Sequence, residues 1–235
     1  MRKGLIFIIY GISLHLFIII LLLKSNAVSL ISTKLFPVDK PIERTYLKTH
    51  TFYKRVNNNL TIDQTIFLGD SHIQGLAVSE VIGKSVNFGI GKDTVKRLIN
   101  RMRYYDSMQS AKNIVIAVGI NDLQHKSVEE TLKEFKKLLK KLPKDVFVLV
   151  NGVFTIDEGK FQGQISNQNI FRLNIELKKI VNERSNSYFL DINPQLSYNG
   201  QLIEEYHIGD GIHLSEKGYH IWIQALTQTL NNLER

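Results

Sequence analysis

From residue 64 onward, short apolar runs alternate with stretches of helical periodicity, and this alternation limits the possible folds of the chain more than any other feature. The apolar runs lie at 65–69, 85–90, 113–119, 145–153 and 187–192. Because they are short and rich in apolar residues, they are typical of strands buried on both faces. Clear helical stretches lie at 128–142, 167–184 and 215–233. The pattern predicts an α/β fold in which helices cover both sides of a parallel sheet.

The chain carries a net charge of +8, and several of its lysines lie on one face of the helical stretch at 128–142. The other face of that stretch is apolar, which indicates an amphipathic helix with a solvated basic face. A basic surface can also bind nucleic acid, but no nucleic-acid-binding motif accompanies the charge, so we expect no nucleic-acid partner. The absence of cysteine from the sequence excludes a cysteine nucleophile, a thiolate metal site and disulfide bonds.

The amino-terminal segment predicts export of the rest of the chain. Residues 4–23 contain no charged side chain and are long enough to span a bilayer as a helix. A cleaved signal peptide is the alternative, since 25–27 resembles a cleavage site, but the apolar run is long for one. We favour an uncleaved signal anchor over residues 1–24, with the amino terminus in the cytoplasm because basic residues precede the run. Residues 25–63 are interpreted as a tether, with a short helix around 44–56, and 64–235 as the exported domain.

Polar clusters follow the predicted strands. Ser71 comes after the first strand, and the segment NFGIGKDT includes the end of the second strand and the residues after it. GIND lies at the end of the third strand, and DGIHLS precedes the last helix. In parallel α/β sheets, ligands bind beyond the carboxyl ends of the strands, because the loops there converge. The four clusters therefore predict one pocket at that edge of the sheet.

The tripeptide Asp70-Ser71-His72 contains the three residue types of a serine hydrolase triad, but adjacent side chains diverge and cannot form one. Gly69 is expected to allow a tight turn that presents Ser71 at the start of a helix. Better partners are Asp210 and His213, which are three residues apart in one loop. The carboxylate can orient the imidazole while the second ring nitrogen accepts the serine proton.

These motifs resemble those of the SGNH hydrolases, also called GDSL-type esterases. The resemblance rests on Gly-Asp-Ser at 69–71, Gly-x-Asn-Asp at 119–122 and Asp-x-x-His at 210–213. The second cluster is similar to that of the platelet-activating-factor acetylhydrolase catalytic subunits. The resemblance covers roughly residues 64–232 and implies a flavodoxin-like, three-layer α/β/α domain with a parallel sheet.

By this resemblance, Ser71 is the nucleophile, His213 the general base and acid, and Asp210 the residue that orients His213. The oxyanion hole would consist of the Ser71 N–H, the Lys92 N–H and the side-chain amide of Asn121, with no metal or cofactor. Lys92 departs from the family pattern, which has glycine there. A lysine N–H can donate equally well if φ is negative, whereas a positive φ would strain the lysine.

Other polar residues have more ordinary interpretations. Asp122 is expected to cap the helix that follows the third strand. His72, His125, His207 and His220 are interpreted as surface or pocket-wall histidines.

The sequence thus predicts a membrane-anchored, extracytoplasmic serine esterase that acts on a small acyl ester, such as an O-acetyl group on a cell-surface glycan, or on a lipid ester. Two alternatives stay open. An acyltransferase could use the same triad to pass the acyl group to a sugar hydroxyl. A binding module without catalysis would result if Lys92 spoiled the oxyanion hole.

Overall fold

A computed structural model describes residues 14–15 and 41–233, and the chain divides into two compact units, Met1–Leu47 and Lys48–Arg235. In the first unit, the described residues are helical. Across the described residues, no helix is both long enough and apolar enough to cross a membrane. The predicted anchor at 4–23 lies outside the described residues, apart from Leu14 and His15.

The second unit alternates strands and helices in the order that the sequence predicts. The strands are β1 (Thr65–Gly69), β2 (Ser85–Gly89), β3 (Asn113–Ala117), β4 (Phe147–Asn151) and β5 (Ser187–Leu190), followed by the short hairpin of β6 (Ser197–Tyr198) and β7 (Gln201–Leu202). The helices are α1 (Pro41–Asn57), α2 (Ser71–Gln74), α3 (Val78–Val81), α4 (Val95–Met102), α5 (Ile120–Leu123), α6 (Val128–Lys141), α7 (Asn167–Asn182), α8 (Asn193–Leu196) and α9 (Glu216–Leu233).

The main sheet has five parallel strands in the order β2-β1-β3-β4-β5. This is the flavodoxin-like order, so the predicted parallel α/β architecture is confirmed. The direction in which successive strands are added to the sheet reverses at β1, because β2 lies on one side of β1 and β3 lies on the other. A crevice opens at such a switch point, beyond the carboxyl ends of β1 and β3. Both strands end beside the clusters that the sequence singled out.

Helices cover both faces of the sheet, because successive side chains of each strand point to opposite sides. Ile66 and Leu68 of β1 belong to a core cluster with residues of α4, α6 and α7. Phe67 points the other way, into a cluster with Trp222 and other residues of α9. All five residues of β1 are buried, which explains the uninterrupted apolar run in the sequence.

The helices predicted from periodicity agree with α6, α7 and α9 to within a few residues. The helix expected around 44–56 is α1, which begins at Pro41 and ends at Asn57. Within the second unit, Tyr53 and Val56 pack against the core cluster that contains β1, and the Tyr53 hydroxyl donates to the Gly89 carbonyl at 2.8 Å. Part of the segment interpreted as a tether therefore contacts the domain core.

Gly69 is required for a different reason from the one expected. Its φ is not positive, so the turn after β1 does not depend on glycine's conformational freedom. A Cβ at this position would overlap the Ala117 carbonyl and come within 2.6 Å of Ile73 Cγ1. The absence of a side chain lets β3 and α2 approach the end of β1 closely.

We expect Gly69→Ala to destabilise the protein by about 3 kcal/mol, because the added methyl group collides with backbone that cannot move aside. Urea denaturation followed by circular dichroism measures the change. Gly83→Ala is the matched control: a Cβ there meets nothing within 4 Å, so the change should stay below about 1 kcal/mol. Equal stability of the two variants would contradict the close-approach explanation.

Candidate active site

The turn at residues 70–72 presents the serine. The Asp70 carboxylate caps α2 by accepting a hydrogen bond from the His72 N–H at 3.0 Å, and α2 begins at Ser71. The first N–H groups of a helix have no partner within it, so the Ser71 N–H, at the first residue of α2, is a potential donor. Asp70 is 2 % exposed and Ser71 is half-buried, so the serine is the more accessible of the two residues.

The structure brings Ser71 together with two residues that lie about 140 positions later. His213 Nε2 is 3.1 Å from Ser71 Oγ, and His213 Nδ1 is 2.6 Å from Asp210 Oδ2. Because a carboxylate only accepts, Nδ1 carries the proton and donates to Asp210. Nε2 is then free to accept from the serine hydroxyl. This is the series of contacts that activates a serine for nucleophilic attack.

Asp210 is held by the loop that it shares with His213. Its Oδ1 atom accepts hydrogen bonds from the N–H groups of Ile212, at 3.0 Å, and His213, at 2.9 Å. Burial alone would raise the pKa of Asp210, but hydrogen bonds from the His213 ring and from these two backbone groups outweigh it and lower the pKa below its ordinary value. The carboxylate therefore stays ionised and can stabilise an imidazolium.

His207 holds the same loop through hydrogen bonds to its backbone. It is 4 % exposed, and its Nδ1 accepts hydrogen bonds from the N–H groups of Gly209 and Gly211 at 3.0 and 3.2 Å. Its Nε2 lies 3.3 Å from Asp157 Oδ2, to which it donates. His207 is therefore a buried organiser of the 207–214 loop, which differs from its interpretation as a surface or pocket-wall histidine. His125 is exposed, as expected.

Lys92 lies in a tight turn between β2 and α4. The Asp93 N–H donates to the Ile90 carbonyl at 3.1 Å, and Lys92 has a φ of 63°. A left-handed residue at this place in a turn favours glycine. The sequence left open whether φ of Lys92 is negative or positive, and in the structure it is positive, which strains a lysine. The turn nevertheless lies beside the serine, because a Cβ on Gly91 would be 4.0 Å from Ser71 Cβ.

A buried ion pair anchors that turn, and the sequence analysis missed it. Arg101 is 1 % exposed; its Nε donates to Asp93 Oδ2 at 2.8 Å, and its Nη2 donates to the Gly69 carbonyl at 3.1 Å. The guanidinium thus joins the turn of Lys92 to the last carbonyl of β1. The available signal was a cation on the apolar face of α4, three residues after Leu98.

Asn121 and Asp122 both bind the segment after Lys92. The Asn121 side-chain amide donates to the Asp93 carbonyl at 2.9 Å. Asp122 does not cap its own helix: its Oδ2 accepts from the N–H of Val95, the first residue of α4, at 2.9 Å. The prediction that Asp122 caps the helix after the third strand is therefore wrong, because its carboxylate binds the first N–H group of α4 instead. The reason is that α5 begins beside α4, whose free N–H groups need acceptors.

His72 forms a second buried pair, with Asp70. Its Nδ1 is 3.4 Å from Asp70 Oδ1, and its Nε2 is 3.0 Å from the Ile212 carbonyl oxygen. His72 and Asp70 therefore do not belong to the Ser71 series, as the divergence of adjacent side chains predicts.

The series of Ser71, His213 and Asp210 is open to solvent. The side chains of His213 and Asp210 are 43 % and 39 % exposed. In the described ranges 14–15 and 41–233, no group of three or more His, Asp or Glu side chains has the arrangement of a metal site.

Comparisons with known proteins show the family and the fold. The model of the GDSL-like Lipase/Acylhydrolase family matches residues 67–221. No curated protein sequence matches the chain in the corresponding search.

Solved structures share the fold. A Streptococcus pneumoniae protein whose name refers to platelet activating factor superposes with a TM-score of 0.72 at 23 % identity, covering 89 % of this chain and 99 % of that one. A lipase/acylhydrolase from Enterococcus faecalis gives 0.63 at 18 % identity, covering 72 % and 96 %. A catalytic mutant of an acetylxylan esterase from Geobacillus stearothermophilus gives 0.56 at 22 % identity, covering 71 % and 93 %.

The conformation of Lys92 predicts that glycine fits this position better. We expect Lys92→Gly to stabilise the protein by about 0.5 to 1 kcal/mol, since glycine adopts a positive φ without a steric cost but loses more entropy on folding. Lys92→Ala is the control, because it removes the lysine side chain and keeps the strain. Urea denaturation of both variants measures the difference, and a more stable alanine variant would contradict the assignment.

The buried pair of His72 and Asp70 predicts a pH-dependent stability. Burial alone would lower the pKa of His72, but the hydrogen bond and charge of Asp70, the Ile212 carbonyl and the charge of Asp210 outweigh it and raise the pKa. The other titratable groups nearby are His213, whose ring centroid is 5.8 Å away, and Tyr219, whose hydroxyl donates to the His72 carbonyl. Folding therefore strengthens proton binding at His72.

A group with a raised pKa contributes stability below its unfolded pKa of about 6.5, and that contribution disappears as pH rises through the folded pKa. We expect the free energy of unfolding of the wild type, relative to His72→Gln, to decrease as the pH is raised from about 6 into the alkaline range. Urea denaturation across this range measures it. A difference that does not vary with pH would mean that folding does not shift the pKa of His72, and a difference that increases with pH would mean that burial lowers it.

Proposed function

This chain belongs to the GDSL-like Lipase/Acylhydrolase family and is a carboxylic ester hydrolase, and we propose that Ser71, His213 and Asp210 carry out the hydrolysis. The observation that carries the proposal is the continuous series of hydrogen bonds from the Ser71 hydroxyl through the His213 ring to the Asp210 carboxylate. Such a series supplies a nucleophile, a base within reach of it and a group that orients the base.

In the first half of the reaction, Ser71 Oγ attacks the ester carbonyl while its proton moves to His213 Nε2. The bond from the carbonyl carbon to the alkoxy oxygen then breaks, and the leaving oxygen takes that proton from His213. In the second half, a water attacks the acyl-enzyme, passes a proton to His213, and the acid leaves as the proton returns to Ser71. Asp210 stabilises the imidazolium in both halves.

Negative charge that develops on the carbonyl oxygen requires donors. We assign these to the Ser71 N–H, the Lys92 N–H and the second N–H of the Asn121 amide, whose first is bound to the Asp93 carbonyl. The buried Arg101 supports this assignment, since it connects the turn of Lys92 with the strand that ends before Ser71.

For the substrate, we propose a short acyl ester, such as an O-acetyl group on a cell-surface glycan. The openness of the site supports this, since an exposed histidine and carboxylate can receive an ester carried by a large polymer. The acetylxylan esterase that shares the fold is known by its name to act on such an ester. The uncharged segment at 4–23 motivates an anchored enzyme that acts outside the cytoplasm.

Replacement of the serine tests the mechanism. We expect Ser71→Ala to lower the rate of hydrolysis of a short aryl ester on the order of 10⁴-fold or more, and to abolish labelling by a fluorophosphonate, because both need the hydroxyl. Ser110→Ala is the matched control, since this exposed serine donates only to the Ser107 carbonyl and precedes β3 at the opposite edge of the sheet. It should keep full activity and labelling.

Retention of activity by Ser71→Ala would disprove the proposed nucleophile. The same assay tests the substrate class if aryl acetate is compared with an aryl ester of a long fatty acid. Preference for acetate is the expected result, and preference for the long chain would favour a lipid ester. Release of free acetate from an O-acetylated glycan would then distinguish hydrolysis from transfer of the acetyl group to an acceptor.

A further inference from the structure

His72 follows the nucleophile directly in sequence, yet its side chain takes no part in the proposed chemistry. It is 4 % exposed and lies edge-on to the Phe154 ring, with ring centroids 5.0 Å apart. Both of its ring nitrogens face oxygen acceptors, the Asp70 carboxylate and the Ile212 carbonyl. A histidine in this environment can donate from both nitrogens at once.

The contact with Ile212 acts on the residue that precedes His213. The Ile212 N–H donates to Asp210 Oδ1 at 3.0 Å, and its carbonyl accepts from His72 Nε2 at 3.0 Å. Both polar backbone groups of Ile212 are therefore held. Since Ile212 is joined to His213 by a peptide bond, holding its carbonyl restricts where the His213 ring can move.

Two hydrogen bonds thus connect the 70–72 turn with the 207–214 loop. One joins Ser71 to His213 and includes a reacting atom; the other joins His72 to Ile212 and includes none. In the acyl-enzyme, Ser71 Oγ carries the acyl group and has no proton to donate, so the first bond is lost. The second bond is unaffected by the chemistry.

We propose that His72 is a positioning residue that keeps His213 within reach of Ser71 Oγ while the serine is acylated; this rests on the proposed function. His72 also contributes to stability, because removing one partner of a buried pair leaves the Asp70 carboxylate without its counter-charge. Its effect on catalysis is therefore measured separately from its effect on folding. The contact is useful in catalysis, since misplacement of a catalytic group by about 1 Å can lower a rate on the order of 10²-fold.

The experiment compares three variants of the full chain with the wild type. His72→Leu removes the donor to Ile212 and keeps an apolar volume. His72→Gln restores a donor at about the position of Nε2. Tyr219→Phe is the matched control, because it removes a hydrogen bond to the same turn, at the His72 carbonyl, and leaves the bond between His72 and Ile212 in place. Steady-state and pre-steady-state hydrolysis of an aryl acetate are measured, together with the rate of fluorophosphonate labelling.

We expect His72→Leu to lower kcat about 10- to 100-fold with little change in KM, and to slow deacylation more than labelling, so that a burst of the aryl alcohol precedes the slow steady state. His72→Gln should recover kcat to within about fivefold of the wild type. Tyr219→Phe should keep the wild-type kcat even where its unfolding temperature is lower.

Three outcomes would overturn the proposal: wild-type kcat in folded His72→Leu, equal losses in the leucine and glutamine variants, or an equal loss in Tyr219→Phe. If His72→Leu does not fold, a folded His72→Gln with a kcat far below the wild type also overturns it. Failure of the proposed function is distinct, because then the wild type itself would neither hydrolyse the ester nor react with the fluorophosphonate.

Discussion

The carboxyl ends of β2, β1 and β3 finish level with one another, and the candidate site depends on this register. Gly69 at the end of β1 pairs with Gly89 on one side and Ala117 on the other. The loops that leave these strands therefore start from one line at the edge of the sheet. Any side chain at position 69 would push β3 away, so the closeness of the strands requires a glycine there. The serine, the turn of Lys92 and the segment of Asn121 follow directly from these three ends.

Around this edge, the groups proposed to react are accessible, and the groups that hold them are buried. His213 and Asp210 are open to water, which hydrolysis of an acyl-enzyme requires. Arg101, His72 and His207 are each at most 4 % exposed. Arg101 binds the last carbonyl of β1, and His72 and His207 bind backbone groups of the 207–214 loop. Hydrogen bonds are stronger in the low dielectric of the interior, so buried side chains can define the position of exposed loops. The groups proposed to transfer protons are thus accessible to solvent, and buried polar side chains hold the backbone segments that carry them.

Much of the fold follows from local sequence patterns. The five strands and helices α6, α7 and α9 agree with the predicted segments because burial on both faces produces apolar runs, and burial on one face produces helical periodicity. Strand ends were predicted too long at β3 and β4, since the residues that follow stay buried after the ladder stops. The pairing of Ser71 with Asp210 and His213 was also accessible, because Asp210 and His213 lie three residues apart in the Asp-x-x-His motif that the sequence shares with the SGNH hydrolases.

The roles of the buried polar residues that hold the site could not be predicted from the sequence. Asp122 was assigned to its own helix and binds α4 instead, and Arg101 was not singled out. His207 was interpreted as a surface or pocket-wall histidine, and it is buried and binds the 207–214 loop. Side-chain types reveal what a residue can bond to, whereas the partner depends on which elements lie beside it after folding. The sequence by itself determined the parallel α/β architecture and the residues that could form the site, because these depend on local periodicity and residue chemistry. Only the tertiary structure decided that Arg101 binds the Gly69 carbonyl, that Asp122 binds α4 and that His207 binds Asp157, because each of these contacts joins segments far apart in the chain.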